Sequence, residues 1–333
     1  MSYTIWGAFD KFRKETVDLE PDITTRARAS RDYLFDQIKI LARDNLGFPR
    51  LTGDYLSFGS FPRKAKVQPL DDIDALIILK AQNTREVNSP RSFFTSWLVV
   101  TDKFSPLSIF TNEYGYVNST KILNNIKSHL SLVTNYRHAE IKKTMQAVTL
   151  NLKSYPWVFD IVPAVPVVGI YGQTIYYLIP DGLGNWIRTD PRIDARSITE
   201  VSVKHHGKFL PTIRLLKYWN FRTHKPRLSS YYFETLVINT FRYASQINDF
   251  PQAVKYFFDN CPYYLSTSCP DPKGLEPNLD VGVDSNTKQK VLQAMSDAAT
   301  WAGYALMYEA QLKNSDAIYW WQRVFGSQFP TYG

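Results

Sequence analysis

Apolar and polar positions follow two different rhythms along this chain. In DITTRARASRDYLFDQIKILARD, residues 22–44, Ile23, Ala27, Tyr33, Leu34, Ile38 and Leu41 fall at helical spacing and form an apolar stripe. Arg26, Arg28 and Arg31 make a basic face on the same helix, which reads as solvated, the usual state of charge on a helix surface. LDDIDALIIL, residues 70–79, ends in the unbroken apolar run of a buried strand. Further strands are predicted at 145–152, 157–162 and 174–179, and a helix near 120–133. PDGLGNWIRTDPR, residues 180–192, reads as a turn-rich loop. From about Pro211 the rhythm is helical, in PTIRLLKYWNF, SYYFETLVINTFRYA, PQAVKYFFDN and KQKVLQAMSDAATWAGYALMYEA. The pattern predicts an α+β lobe over residues 1–200 and a helical lobe over 201–333, with the long first helix bridging the two.

Composition changes this picture only at the margins. The 333 residues bury a large core without staples, and 44% hydrophobic with 21% charged residues is an ordinary globular balance. Two cysteines, Cys261 and Cys269, exclude a disulfide framework, and their spacing offers no second pair for zinc. Low cysteine use and the absence of a secretory-type apolar segment in MSYTIWGAFDKF point to the cytoplasm, and no window is apolar enough to span a membrane. The net charge of +8 suits a polyanionic ligand, yet the cations are dispersed, so no stable nucleic-acid partner is expected.

The chemistry concentrates in Phe58-Gly59-Ser60 and Asp71-Asp72-Ile73-Asp74. Asp72 and Asp74 lie two apart, so in a strand they share a face with Cα atoms roughly 6.5–7 Å apart. Two carboxylates at that distance suit a pair of divalent ions. Ile73 then points to the core, and Asp71, of the wrong parity, sits at the start of the strand. Taken alone, an Asp-x-Asp is as readily a solvated turn. Gly59-Ser60 at a strand-to-helix turn lets backbone N–H groups approach a phosphate, with the hydroxyl as a further donor, although the same dipeptide also makes a plain cap. Asp160 interrupts the apolar run WVFDIVPAV and needs partners or a metal, because an unpaired buried carboxylate is costly.

The order of these elements resembles the polymerase-β-like nucleotidyltransferases. Within them the chain resembles the cGAS/DncV-like nucleotidyltransferases (CD-NTases) of bacterial antiphage (CBASS) systems. FGSFPRKAKVQPLDDIDALI, WVFDIVPAV, LPTIRLLKYWN and LSSYYFETLV carry the resemblance, which spans nearly the whole chain. It implies a mixed sheet with helices, a helical carboxy-terminal lobe and a central cleft. It implies Asp72, Asp74 and Asp160 as metal-binding catalytic carboxylates and Gly59 and Ser60 as the phosphate turn. Lys217 would contact the triphosphate, Ser230 supply a hydroxyl donor and Tyr231 stack on a base. Asp181 and the loop after it fall where relatives meet the second nucleotide. Two Mg²⁺ ions, or Mn²⁺, are the implied cofactors, ATP and/or GTP the substrates, and an effector the receiver of the product. Ala65 after Lys64 departs from the small hydroxyl residue common in the family, and no zinc insertion is present.

Residue by residue the helical lobe leaves alternatives open. Arg214 and Lys217 lie on a polar side of an amphipathic helix, which by itself reads as solvated. One of Tyr231 and Tyr232 belongs in the core. His205-His206 read as surface residues, since adjacent histidines point apart. The function expected is condensation of nucleoside triphosphates into a cyclic di- or trinucleotide with pyrophosphate release. A linear oligonucleotide synthase or RNA-tailing enzyme keeps the chemistry but calls for a basic groove. A catalytically silent nucleotide- or RNA-binding module has no use for all three carboxylates.

Overall fold

The structure, a computed structural model, describes residues 1–90, 92–222 and 225–333. In chain order its helices and strands are α1 (Ile5–Phe12), α2 (Pro21–Asp44), β1 (Leu51–Ser57), β2 (Asp72–Leu79), β3 (Thr84–Asn88), β4 (Thr95–Val100) and α3 (Ser119–Leu130). They continue with β5 (Glu140–Lys143), β6 (Val148–Asn151), β7 (Val158–Val168), β8 (Thr174–Pro180), β9 (Trp186–Thr189), α4 (Pro191–Lys204), α5 (Phe209–Arg222) and α6 (Ser230–Arg242). The last are α7 (Phe250–Ser266), α8 (Ser285–Ala310) and α9 (Asn314–Phe325). The class is α+β, as the pattern predicts. Two compact units form, one of Met1–Glu20, Arg63–Pro69 and Arg192–Gly333, the other of Pro21–Pro62 and Leu70–Pro191. The predicted single change near residue 200 is therefore not how the units divide. The first twenty residues and the link after Pro62 group with the later helices, and α2 falls wholly in the other unit.

The sheet unit is one mixed sheet of order β1-β2-β7-β8-β9-β4-β3, with β6 also on β7 and β5 on β6. β2 and β7 run parallel and the other pairs antiparallel. Their residues explain the arrangement. On β2 and β7 both faces are apolar beyond the first few positions, which is what a doubly covered parallel pair requires. Leu76 and Ile78 join Val162, Ala164, Tyr177 and Ile179 in one cluster. Ile73, Phe159 and Ile161, of opposite parity, are fully buried on the other side. Only the first positions of the first face are polar, and there the carboxylates stand. Two predicted strands shift: of residues 145–152 only Val148–Asn151 form a strand, β6, which hairpins with the preceding β5, and the strand at 157–162 runs on to Val168. The turn-rich segment 180–192 contains β9, because Trp186 is buried and its indole donates to the Val117 carbonyl at 2.9 Å.

The helical unit packs around α5 and α6, most of whose residues are buried. Trp219, Phe233, Phe257 and Phe258 interlock by edge and tilted ring contacts at its centre. Phe9 and Phe12 of α1 dock on Trp321, Phe325 and Phe329, which fixes the amino-terminal helix in this unit. Three local expectations change, two in this unit and one on α2 of the other. His205 is not a surface residue but fully buried, and only His206 is exposed. The His205 ring satisfies two backbone groups: Nδ1 accepts from the Ile247 N–H at 3.2 Å and Nε2 lies 3.0 Å from the Phe241 carbonyl. Burial holds its pKa below the ordinary 6.5, so it stays neutral. Lys217 is not on a solvated helix face but is 2% exposed. Tyr33 of the predicted α2 stripe is exposed, while Ala27, Leu34, Ile38 and Leu41 are buried as the spacing predicts.

Candidate active site

The sheet unit brings the three aspartates onto one face. Asp74 pairs in register with Asp160 across the parallel β2–β7 ladder, and Asp72 pairs with Val158 one pleat earlier. In-register residues of parallel strands point to the same side about 4.8 Å apart, and Asp72 shares that side by the two-residue repeat. Burial agrees: Asp72, Asp74 and Asp160 are half-buried, and the alternating Ile73 and Phe159 are in the core. Asp71, just before β2, is exposed, and its carbonyl accepts the Val158 N–H at 3.0 Å, which locks the start of the pair.

Asp160 is held from the far side as well. Thr149 of β6 lies opposite it in register and donates its hydroxyl to Asp160 Oδ1 at 2.6 Å. That bond fixes the carboxylate's rotation and leaves Oδ2 for a ligand. Thr149 was invisible in the sequence, because nothing local marks the cross-strand partner of an acid eleven residues away.

Gly59 shows how closely the phosphate turn meets this face. Strand β1 pairs antiparallel with β2, with Ser57 opposite Ala75, and the chain then bends through Phe58, Gly59 and Ser60. Gly59 has φ of 78°, and a Cβ there would lie 1.8 Å from Asp74 Oδ2. Only glycine fits both demands. The turn does not lead into a helix as expected; residues 60–64 form consecutive turns, with Lys64 also at positive φ. We predict that Gly59→Ala, which must displace the Asp74 carboxylate, lowers product formation by about 10²-fold, the usual penalty for a misplacement of about 1 Å. Wild-type rates in that variant would show that the turn and Asp74 do not serve one site.

Whether these residues suit a divalent cation can be judged from the donor set. Three carboxylates on one face are hard oxygen donors, matched to Mg²⁺ or Mn²⁺ rather than to zinc. Like charges directly opposite on neighbouring strands destabilise a sheet unless a cation offsets them. Among the described residues no three His, Cys, Asp or Glu side chains converge into a ligand set as they stand. What the fold supplies is the common face, the register and the glycine cradle against Asp74. Cys261 and Cys269 are both buried thiols whose pKa burial pushes up, Cys269 to about 11.

The helical unit holds the other predicted residues. Ser230 opens α6 and is exposed, and the preceding Ser229 caps the helix by accepting from the Tyr232 N–H. Tyr232 is the core member of the tyrosine pair. Tyr231 is half-buried, and its hydroxyl donates to Asp194 at 2.7 Å and accepts from Lys273 Nζ at 2.8 Å. Lys273 also lies 4.3 Å from the ring centroid, which covers one ring face. Burial first, and then Asp194, push the Tyr231 phenol far up, so it remains protonated. Lys217 Nζ donates to Glu234 Oε2 at 2.9 Å, and Arg63 Nε and an Nη both donate to Glu234 Oε1, at 3.0 and 2.7 Å. Burial alone would raise the Glu234 carboxyl, but Lys217 and Arg63 outweigh it and hold it below its ordinary 4.5. In the sheet unit, the Asp181 carboxylate is spent on its own turn, accepting from the Leu183 and Asn185 N–H groups.

No family model matches the chain. A probable cyclic nucleotide synthase of Bacillus cereus (strain VD146) is 37% identical over 335 residues, spanning 100% of this chain and 99% of that one. The chain belongs to the cGAS/DncV-like nucleotidyltransferases. The CD-NTase fold is matched by Escherichia coli MS115-1 CdnC, solved with ATP, at a TM-score of 0.71 and 16% identity over 98% of each chain. Vibrio cholerae DncV cyclic AMP-GMP synthase, solved with a linear intermediate, gives a TM-score of 0.68 at 10% identity over 99% of this chain and 97% of that one. At such identities the likeness is one of fold. Among the described residues, no helix is long and apolar enough to cross a membrane.

Proposed function

We propose that the chain condenses nucleoside triphosphates, ATP and/or GTP, into a cyclic di- or trinucleotide with release of pyrophosphate. The product would act on a separate effector in antiphage signalling, in the cytoplasm where the substrates are. The observation that carries this reading is the in-register pair Asp74–Asp160, with Asp72 on the same face and Gly59 closed against Asp74. The Bacillus relative's name and the CD-NTase fold support it.

Asp72, Asp74 and Asp160 are the residues that would hold two Mg²⁺, or Mn²⁺. When bound, these ions neutralise the phosphates and polarise the α-phosphate. The chain's own groups bring the reactants together. Backbone N–H groups around Gly59 and the Ser60 hydroxyl donate to phosphate oxygens, and Lys217 and Ser230 add cationic and hydroxyl donors. Tyr231, its hydroxyl anchored and one face covered by Lys273, offers the other face to a base. A ribose hydroxyl of the second nucleotide forms the new P–O bond as the bond to pyrophosphate breaks. Asp160, whose Oδ1 is held by Thr149, would draw off the hydroxyl proton through Oδ2. Most of the rate gain would come from position and charge, as is general for phosphoryl transfer.

Incubating the pure chain with all four ribonucleoside triphosphates and Mg²⁺ tests the reading. Metal-dependent pyrophosphate release with a nuclease-characterised cyclic product is the expected result. A purely linear product would point instead to an oligonucleotide synthase, and no pyrophosphate release at all would remove the enzymatic reading.

A further inference from the structure

Tyr231 is tied down more firmly than satisfying its hydroxyl requires. Its neighbour Tyr232 is fully buried, yet the Tyr232 hydroxyl has no hydrogen-bond partner among the described residues. Tyr231 is only half-buried, where water can serve a hydroxyl as well as protein can. The helical unit nevertheless fills both roles of the Tyr231 hydroxyl from two distant segments. Asp194 of α4 lies 37 residues away in the chain, and Lys273, from the connection between α7 and α8, lies 42 away. A carboxylate accepts and an ammonium donates, so the direction of each bond is fixed. The phenol proton goes to Asp194 at 2.7 Å, and the oxygen takes Lys273 Nζ at 2.8 Å. Lys273 is itself built into the unit. Its side chain is 4% exposed, and its ammonium also meets Asp271 at 3.0 Å and Glu276 at 3.7 Å. Three oxygens therefore surround it, as many as it has N–H groups. Asp271 closes the turn that carries Lys273, its carboxylate accepting from the Leu275 and Glu276 N–H groups at 3.1 Å each. The ammonium lies 4.3 Å from the Tyr231 ring centroid, over one face.

We propose that Lys273, together with Asp194, is a positioning residue that holds the Tyr231 ring in the plane in which it receives a nucleotide base. Both act through Tyr231 and not on the nucleotide. The hydroxyl is held from two sides and one ring face is occupied, so the ring is ordered before a base arrives. The base then does not bear the cost of immobilising it. This rests on the reading of Tyr231 as the platform for a base, whereas the tie itself rests on the hydrogen bonds of the hydroxyl.

Three variants of the full chain separate the tie from the platform. Tyr231→Phe keeps the ring and removes both hydroxyl bonds, Lys273→Met removes one bond and the charge over the ring, and Tyr231→Leu removes the platform. Each is titrated with 2-aminopurine riboside triphosphate, whose emission is quenched on stacking, and KM and kcat with ATP and GTP and the melting temperature are measured. Tyr231→Phe and Lys273→Met are expected to weaken probe binding and raise KM about three- to tenfold, the scale for one side chain ordered on binding. The bound probe should be less quenched, and kcat should change by less than about twofold. Tyr231→Leu, losing the whole stack, should raise KM about ten- to a hundredfold. A merely structural tie would lower the melting temperature but leave KM and quenching at wild-type values, and that result overturns the proposal. If Lys273→Met, which strands Asp271, does not fold, Tyr231→Phe decides, and wild-type KM and quenching there overturn it. Wild-type KM in Tyr231→Leu with normal product formation removes the platform, and the proposal with it, and leaves the enzymatic function standing. A wild type that forms no product while Tyr231→Phe weakens and unquenches the bound probe does the reverse.

Discussion

Asp74→Asn is expected to lower product formation by at least about 10²–10³-fold while the chain stays folded, the scale seen when a single preorganised charge-stabilising group is lost. The argument is geometric. Asp74 is the one carboxylate that touches both halves of the candidate site: it faces Asp160 across the β2–β7 ladder, and Gly59 closes against its Oδ2. Asn keeps the shape and removes the charge. Since Asn is isosteric with this half-buried side chain, the chain should stay folded, with a melting temperature close to that of the wild type. Product rates by chromatography and unfolding by calorimetry check the two halves of the expectation. A large loss of stability would mark Asp74 as a structural residue instead. Normal product formation would place the catalytic charge elsewhere.

The second large effect concerns stability. Glu234→Gln strands Lys217 and Arg63 in the interior of the helical unit, and removing one partner of a buried ion pair costs about 3–5 kcal/mol. Urea denaturation followed by tryptophan fluorescence reads the loss. The pH dependence fixes its origin. Glu234 has a folded pKa held below its unfolded value of about 4.5, so its contribution is present in full above that value and is lost as pH falls through the folded pKa. Wild type should therefore exceed Glu234→Gln by a constant margin from pH 5 to 8, with the margin closing in acid. A margin independent of pH down to pH 2 would show that Glu234 contributes through packing and not through its charge.

How much of this was legible in the sequence depends on the range over which each signal acts. Asp72, Ile73 and Asp74 could be assigned to faces from parity alone, because a strand's two-residue repeat is local. Asp160 declared itself by breaking an apolar run. Glu234 carries the same signal in SYYFETLV, a lone acid among apolar residues, but helix α6 has a polar stripe that hides it. Its partner Arg63 lies 171 residues away, and no periodicity reports such a pairing. Lys217 misled for a related reason. Helical spacing assigns it to the polar side of α5, yet that side faces Glu234 and not water. His205 and strand β9 were missed because each is fixed by tertiary partners, the Ile247 and Phe241 backbone in one case and the Val117 carbonyl in the other. The division into units was equally out of reach, since the grouping of residues 1–20 with the last helices depends on Phe9 and Phe12 meeting Trp321, Phe325 and Phe329.

Anomalous diffraction from crystals grown with Mn²⁺ and a triphosphate analogue that resists cleavage asks the central question in one map. Density for manganese bound to the side chains of Asp72, Asp74 and Asp160 together is the result expected from their shared face. Manganese held by other groups, with those three carboxylates left unligated, would contradict it.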